Sequence, residues 1–220
     1  MGVTKLVCGV GDNDISRPTF EWVNGKRVYD AYYRTWKSML TRCYWKGRDE
    51  VHMRCYDNVQ VAESWLKFSS FENWMKTQDH VGKVLDKDIL SSLNGNKEYS
   101  PDTCAFISQN LNAFVMGLKN KHTDYPLGVS FHKRDEKYAA NIAYRGKQKW
   151  LGYYTTPEEA HNAWQVAKYN YGVELMNEQT DVRVKEALRK ILSNLKYQYE
   201  NGIITESLLK TIDTPSPTVF

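Results

Sequence analysis

The residues best suited to chemistry lie close together in the first half of the chain. Asp86-Lys87-Asp88, Asn94-Gly95-Asn96 and Ser100-Pro101-Asp102-Thr103-Cys104 all fall within residues 86–104. Carboxylates are hard oxygen ligands for a Mg²⁺-type ion, which activates water when a base and a second ligand stand beside the first acid. A strand, a turn and a helix start would bring such groups together. The same residues also make ordinary surface acids and turn formers, and on residue types alone both readings stay open. Other familiar catalytic signatures, the Walker loop, GxSxG and HExxH, are absent. The histidines of this half, His52 and His80, lie outside the stretch. Cys8, Cys43, Cys55 and Cys104 are irregularly spaced without a CxxC, so reduced thiols are expected. A zinc ion shared by Cys43, Cys55, His52 and Cys104 lacks paired spacing, and no zinc is expected.

A second constellation is made of charge. The whole chain of 220 residues carries a net charge of only +4, which many proteins without a nucleic-acid partner also carry. Within residues 128–150, however, Lys133, Arg134, Lys137, Arg145, Lys147 and Lys149 face only Asp135 and Glu136, so this stretch equals the net charge of the chain. Alternation predicts that Val129, Phe131, Ala140, Ile142, Leu151 and Tyr153 point to one side. Ser130, His132, Arg134, Asn141, Ala143, Arg145, Gln148 and Trp150 then point to the other. That outer face holds cations for phosphates, amides and a guanidinium for base edges, and a flat indole for sugar or thymine methyl contact.

The elements that must position these groups follow from periodicity. Residues 1–28 mix Gly, Asp, Asn and Pro with single apolar residues and predict loop or extended chain. From Tyr32, the spacing of Tyr32, Trp36, Met39, Leu40 and Cys43 predicts an amphipathic helix, followed by a second helix over residues 62–76 with an aromatic core face. Val84, Leu85, Ile89 and Leu90 make two short apolar pieces, the Asn94–Asn96 cluster a turn, and Ser100-Pro101-Asp102 a helix start. Residues 128–154 predict a three-stranded antiparallel meander, and Thr156-Pro157-Glu158-Glu159 a full capping box opening a helix. A last helical stripe, Val184, Leu188, Ile191, Leu192 and Leu195, either docks within the chain or makes a homodimer through residues 181–199. TPSPTVF, residues 214–220, suggests a mobile tail.

The order G-V-x-F-x-K-R-x-x-K-Y-A-A-x-I, then W-L-G-Y-Y-T-T-P-E-E-A-x-x-A-W-x-x-A, resembles the DNA-binding domain of plant Apetala and ethylene-response factors, which also occurs in phage and mobile-element endonucleases. That resemblance implies a sheet laid in the major groove of double-stranded DNA. Ser130, His132, Arg134, Asn141, Ala143, Gln148 and Trp150 then face the DNA, with Arg145 nearby. Ser130 and His132 stand where plant members usually carry arginine. The segments V-C-G-V-G-D-N-D, W-x-x-M-L-x-R-C-Y, W-x-x-F-x-x-F-x-x-W-M and L-D-K-D-I-L...G-N-K-x-Y-S-P-D-T-C-x-F resemble phage HNH-like proteins related to homing endonucleases. Laid on the HNH pattern, Asp86 takes the place of a metal ligand, assisted by Asp88 or Asp102, and Asn96 that of the hairpin-bracing Asn. Lys87 stands where the His base belongs, and Thr103 where the last ligand belongs. A lysine with a pKa near ~10.4 is protonated at neutral pH and better suited to holding a phosphate than to activating water.

The expectation is therefore an α+β chain: a degenerate ββα-metal, HNH-like domain over 1–120, a three-stranded sheet plus helix DNA-binding domain over 121–175, and a helical extension and tail over 176–220. The resemblance implies a phage protein that cuts or nicks double-stranded DNA with Mg²⁺ or Mn²⁺. The alternative is an inactive DNA-binding protein that regulates or inhibits host DNA enzymes, with a host protein as partner. No apolar run reaches the ~18 to 20 residues of a membrane span, and the start lacks the marks of a secretory leader, so the bacterial host cytoplasm is the expected location.

Overall fold

A computed structural model describes residues 6–45, 47, 58–116 and 124–209, without the side chains of 92–94. His52, Cys55 and the tail at 214–220 lie outside the described residues. Residues 6–28 hold more regular structure than the expected loop or extended chain. Asn24-Gly25, with φ of 49° and 72°, closes a hairpin of β1 (Phe20–Val23) and β2 (Lys26–Tyr29), because this pair supplies the left-handed conformations that match strand twist. Helix α1 (Ala31–Tyr44) starts at Asp30, whose carboxylate accepts the Tyr33 N–H at 2.6 Å. Its helical period buries Tyr33, Trp36, Met39, Leu40 and Cys43, so Tyr33 replaces Tyr32 in the expected stripe.

The single helix expected over residues 62–76 is two pieces, a 3₁₀ turn at Glu63–Leu66 and helix α2 at Phe68–Lys76. Lys67 stays extended because the strand-like backbone of Asp12 reaches it there: Asp12 N–H donates to Leu66 O and Phe68 N–H to Asp12 O. Trp36, Trp65, Phe68 and Phe71 are buried together, and the Trp36 indole donates to the Trp65 carbonyl at 2.7 Å. Short ladders complete this part. Strand β3 (Gln60–Val61) runs parallel to β5 (Glu98–Tyr99), while β4 (Val84–Asp86) pairs antiparallel with β6 (Ala105–Ile107). Between β4 and β5 lies helix α3 (Asp88–Asn94), where Ile89 and Leu90 had suggested a strand.

Ser100-Pro101-Asp102 does not open a helix. The Thr103 hydroxyl accepts the Ser100 N–H and donates to the Glu98 carbonyl, closing a turn on itself. The helix starts later, at Ser108, whose hydroxyl accepts the Leu111 N–H and caps α4 (Gln109–Val115). Residues up to 91 and 95–107 form one compact unit, and 92–94 with 108 onward form a second. The division after Ile107, rather than near residue 120, assigns α4 to the second unit, and the C-terminal helix belongs to that unit too.

The second unit carries the meander: β7 (Val129–His132), β8 (Lys137–Tyr144) and β9 (Lys147–Tyr154), all antiparallel. Thr156 and Glu159 satisfy each other's backbone N–H groups in the expected capping box, and Pro157 opens α5 (Pro157–Asn177). Ala160 packs against Val129 and Ala140, the small side chains allowing close approach of helix to sheet. Helix α6 (Val182–Glu200) buries Val184, Leu188, Ile191, Leu192 and Leu195. Gly172 of α5 permits the approach, since a Cβ there would meet Leu192 at 2.4 Å and Phe114 at 2.7 Å. The stripe once open to homodimer formation through 181–199 is thus covered within the chain. The fold is mixed α+β, and among the described residues no helix is long and apolar enough to cross a membrane.

Candidate nucleic-acid interface

One side of the meander is occupied by α5, which leaves the other for contact. Register places Ser130 opposite Ala139, His132 opposite Lys137, Ala143 opposite Gln148 and Asn141 opposite Trp150 on that outer face. Trp150 is 59% exposed and the Arg134 side chain 89%. Asp135, in the β7–β8 turn, lies 3.4 Å from Arg134 and 3.2 Å from His132 Nδ1, the latter without hydrogen-bond alignment.

Strict alternation fails at one point. Ala140 pairs with Gly152 but Asn141 with Trp150, leaving Leu151 as an extra residue in a β-bulge. The bulge turns Tyr153, expected inside, to the outer face opposite Ala139. Its ring lies 5.3 Å from His132 and 5.5 Å from Trp150, so three rings form a continuous row. Gly152, with φ 148°, was the signal that could have located the bulge.

Arg145 departs in the other direction. Its guanidinium pairs with Glu178, the residue that caps the end of α5, and, at 3.6 Å, with Glu174 of α5, and its backbone N–H donates to Tyr171 Oη at 3.2 Å. The outward, DNA-facing place expected for it is therefore not the one it occupies. Lys149 also belongs to the helix side, opposite Ile142 and with its Nζ 5.4 Å from the Tyr144 ring centre. Of the remaining cations Lys137, opposite His132, lies on the outer face, and the exposed Lys133 and Arg134 lie in the β7–β8 turn next to it.

The acidic constellation is arranged differently from a metal centre. Asp86 ends β4 at 6% exposure, and its Oδ1 accepts the Ile89 N–H at 2.9 Å, capping the start of α3. Burial pushes its carboxyl up to about 6; Asp88 adds to this, while the Ile89 N–H and the cations Lys87 and Arg42 oppose it. Lys87 is buried too, its ammonium paired with Asp88 and 5.8 Å from the Tyr99 ring centre. Cys104 lies in the same interior, its thiol pushed up to about 12 chiefly by burial. Asp102 is exposed in the Ser100–Thr103 turn, and Asn96, also exposed, accepts the Glu98 N–H at 3.0 Å.

These residues do not fit a Mg²⁺ or Mn²⁺ ion. One Asp86 oxygen is spent on a helix cap, Asp88 is neutralised by Lys87, and the Lys87 ammonium repels a cation where a base would be needed. Among the described residues no group of three or more His, Cys, Asp and Glu side chains is placed to hold a metal. No protein-family model, curated protein or solved structure matches the chain.

Proposed function

We propose that the chain binds double-stranded DNA through the outer face of its meander and that the first unit does not cleave it. The observation that carries the reading is the exposed row His132, Tyr153 and Trp150 beside Lys133, Arg134 and Lys137. Cations there neutralise phosphates, Ser130, Asn141 and Gln148 offer polar groups to base edges, and the indole packs on sugar or a thymine methyl. A sheet of this width fits a major groove. The pairing of the buried Lys87 with the partly exposed Asp88 supports binding without hydrolysis, because a lysine paired with a carboxylate does not activate water in the place of a base. Such a protein acts as a regulator or as an inhibitor of DNA enzymes of a host.

Two measurements test this. In a gel shift with a mixed-sequence duplex, Trp150→Ala and Arg134→Ala are each expected to weaken binding by about tenfold, in line with the ~1–3 kcal/mol of a good groove contact. Unchanged affinity in both removes the meander as the binding face. Supercoiled plasmid incubated with Mg²⁺ or Mn²⁺ is expected to stay intact. Nicking by the wild type that disappears in Asp86→Ala establishes the endonuclease reading instead.

A further inference from the structure

The β1–β2 hairpin presents a second surface of unusual make-up. Phe20, Trp22, Arg27 and Tyr29 share one face by register, with Trp22 opposite Arg27 and Phe20 opposite Tyr29. Trp22 is 66% exposed. The Arg27 guanidinium lies 4.4 Å from the Phe20 ring centre and 5.5 Å from that of Trp22. Beyond it, Lys37 of α1 stands 4.9 Å from the Tyr29 ring, which stacks at 5.3 Å on Tyr33. Rings and cations are therefore interleaved along one continuous surface: Trp22, Arg27, Phe20, Tyr29, Lys37.

Its charge is one-sided. Residues 20–45 contain Lys26, Arg27, Arg34, Lys37 and Arg42 against Glu21 and Asp30. Glu21 points to the opposite face of the hairpin, opposite Val28, and Asp30 is engaged by Arg17 and the Tyr33 N–H. An exposed indole beside a cation, with the two carboxylates of this stretch turned away or engaged, suits a polyanion with flat apolar groups. Nucleic acid is that ligand, since every base has a π-face and every nucleotide a phosphate.

We infer that this hairpin face binds an unpaired stretch of DNA, with a base stacked on Trp22 and phosphates held by Arg27 and Lys37. Unpaired rather than duplex DNA is favoured because bases within a duplex are stacked on each other and present no face to an indole. Arg27 also lies over the Phe20 ring and donates to Tyr29 Oη at 3.4 Å, so part of its fork is held within the hairpin rather than offered to base edges. The site lies in the first unit and is independent of the meander.

The test is fluorescence anisotropy of the full chain with labelled oligo(dT) and, separately, a duplex of equal length. Trp22→Ala and Arg27→Ala are each expected to weaken oligo(dT) binding about tenfold, the scale of one lost stacking contact. Trp22→Phe retains most of the affinity because a flat ring remains. Lys37→Ala, a substitution on α1 outside the hairpin, lowers the salt dependence of oligo(dT) binding by about one phosphate contact. Trp150→Ala leaves oligo(dT) binding unchanged while weakening the duplex, so a failure of the meander reading is seen separately. Oligo(dT) affinity that is absent in the wild type, or equal in wild type, Trp22→Ala and Arg27→Ala, overturns the proposal. So does hairpin-dependent binding of polyglutamate in place of oligo(dT), which points to an acidic protein.

Discussion

Asp86 illustrates how one residue can look catalytic in a sequence and serve the fold in a structure. Its carboxyl is raised by burial, yet Oδ1 is committed to the Ile89 N–H. A folded-state value of about 6, above the ordinary 3.8, means that the folded protein holds the proton more tightly than the unfolded chain does. Stability from this group is present below pH ~4 and is lost as pH rises through about 6. Asp86→Asn keeps an oxygen for the cap and removes the buried charge. It is expected to raise stability at pH 7 by about 1–2 kcal/mol, with the gain vanishing by pH 4. Urea denaturation of both proteins at pH 4 and pH 7 checks this, and a destabilised Asp86→Asn at pH 7 contradicts it.

At the scale of elements, what was legible depended on whether the decisive signal was local. The meander and α5 could be read because alternation, the turn residues and the Thr156–Glu159 capping box all sit within a few residues of what they control. The Leu151 bulge could not, since alternation assumes an unbroken ladder and one extra residue reverses Tyr153. The segment 86–108 misled for a related reason. Short apolar pairs such as Ile89-Leu90 fit helix or strand alike, and Ser100-Pro101-Asp102 has the residue types of a helix start. The Thr103 hydroxyl, three residues on, closes that segment into a turn instead. The hairpin at Asn24-Gly25 carried the strongest short-range turn signal of the N-terminal segment, obscured by its polar surroundings.

The same reasoning about local geometry identifies the tightest junction of the second unit. Gly128 enters β7 with φ of 78°, and a Cβ there would lie 1.9 Å from the Trp164 ring of α5. Gly128→Ala therefore incurs both left-handed backbone strain and a clash with a bulky ring that itself packs on His161. A loss of about 3 kcal/mol or more is expected, with sheet and helix unfolding together. Gly146→Ala, at φ 76° in the β8–β9 turn with open space around it, incurs the strain alone and is expected to cost only about 1 kcal/mol. Thermal melts of the two variants separate strain from contact. Equal losses would mean that Trp164 moves aside freely.

For the whole molecule, the net charge of +4 is a poor guide to binding, because the field that a DNA strand meets within about 8–10 Å is set by local groups. The meander's six cations are themselves divided. Lys137 on the outer face and Lys133 and Arg134 in the turn beside it form one group, whereas Arg145 is paired with Glu178, and Lys147 and Lys149 lie on the helix side opposite Tyr144 and Ile142. Only the first group is placed to release counterions from the duplex. Plots of log K against log salt for duplex binding are accordingly expected to have a slope of about −3, not the −5 or so that all six would give. Lys137→Ala and Lys149→Ala remove the same charge from the chain, yet Lys137→Ala should reduce the slope by about one unit and Lys149→Ala by almost nothing. If both variants shift it equally, the binding surface is not the outer face but the edge that the two sides of the sheet share.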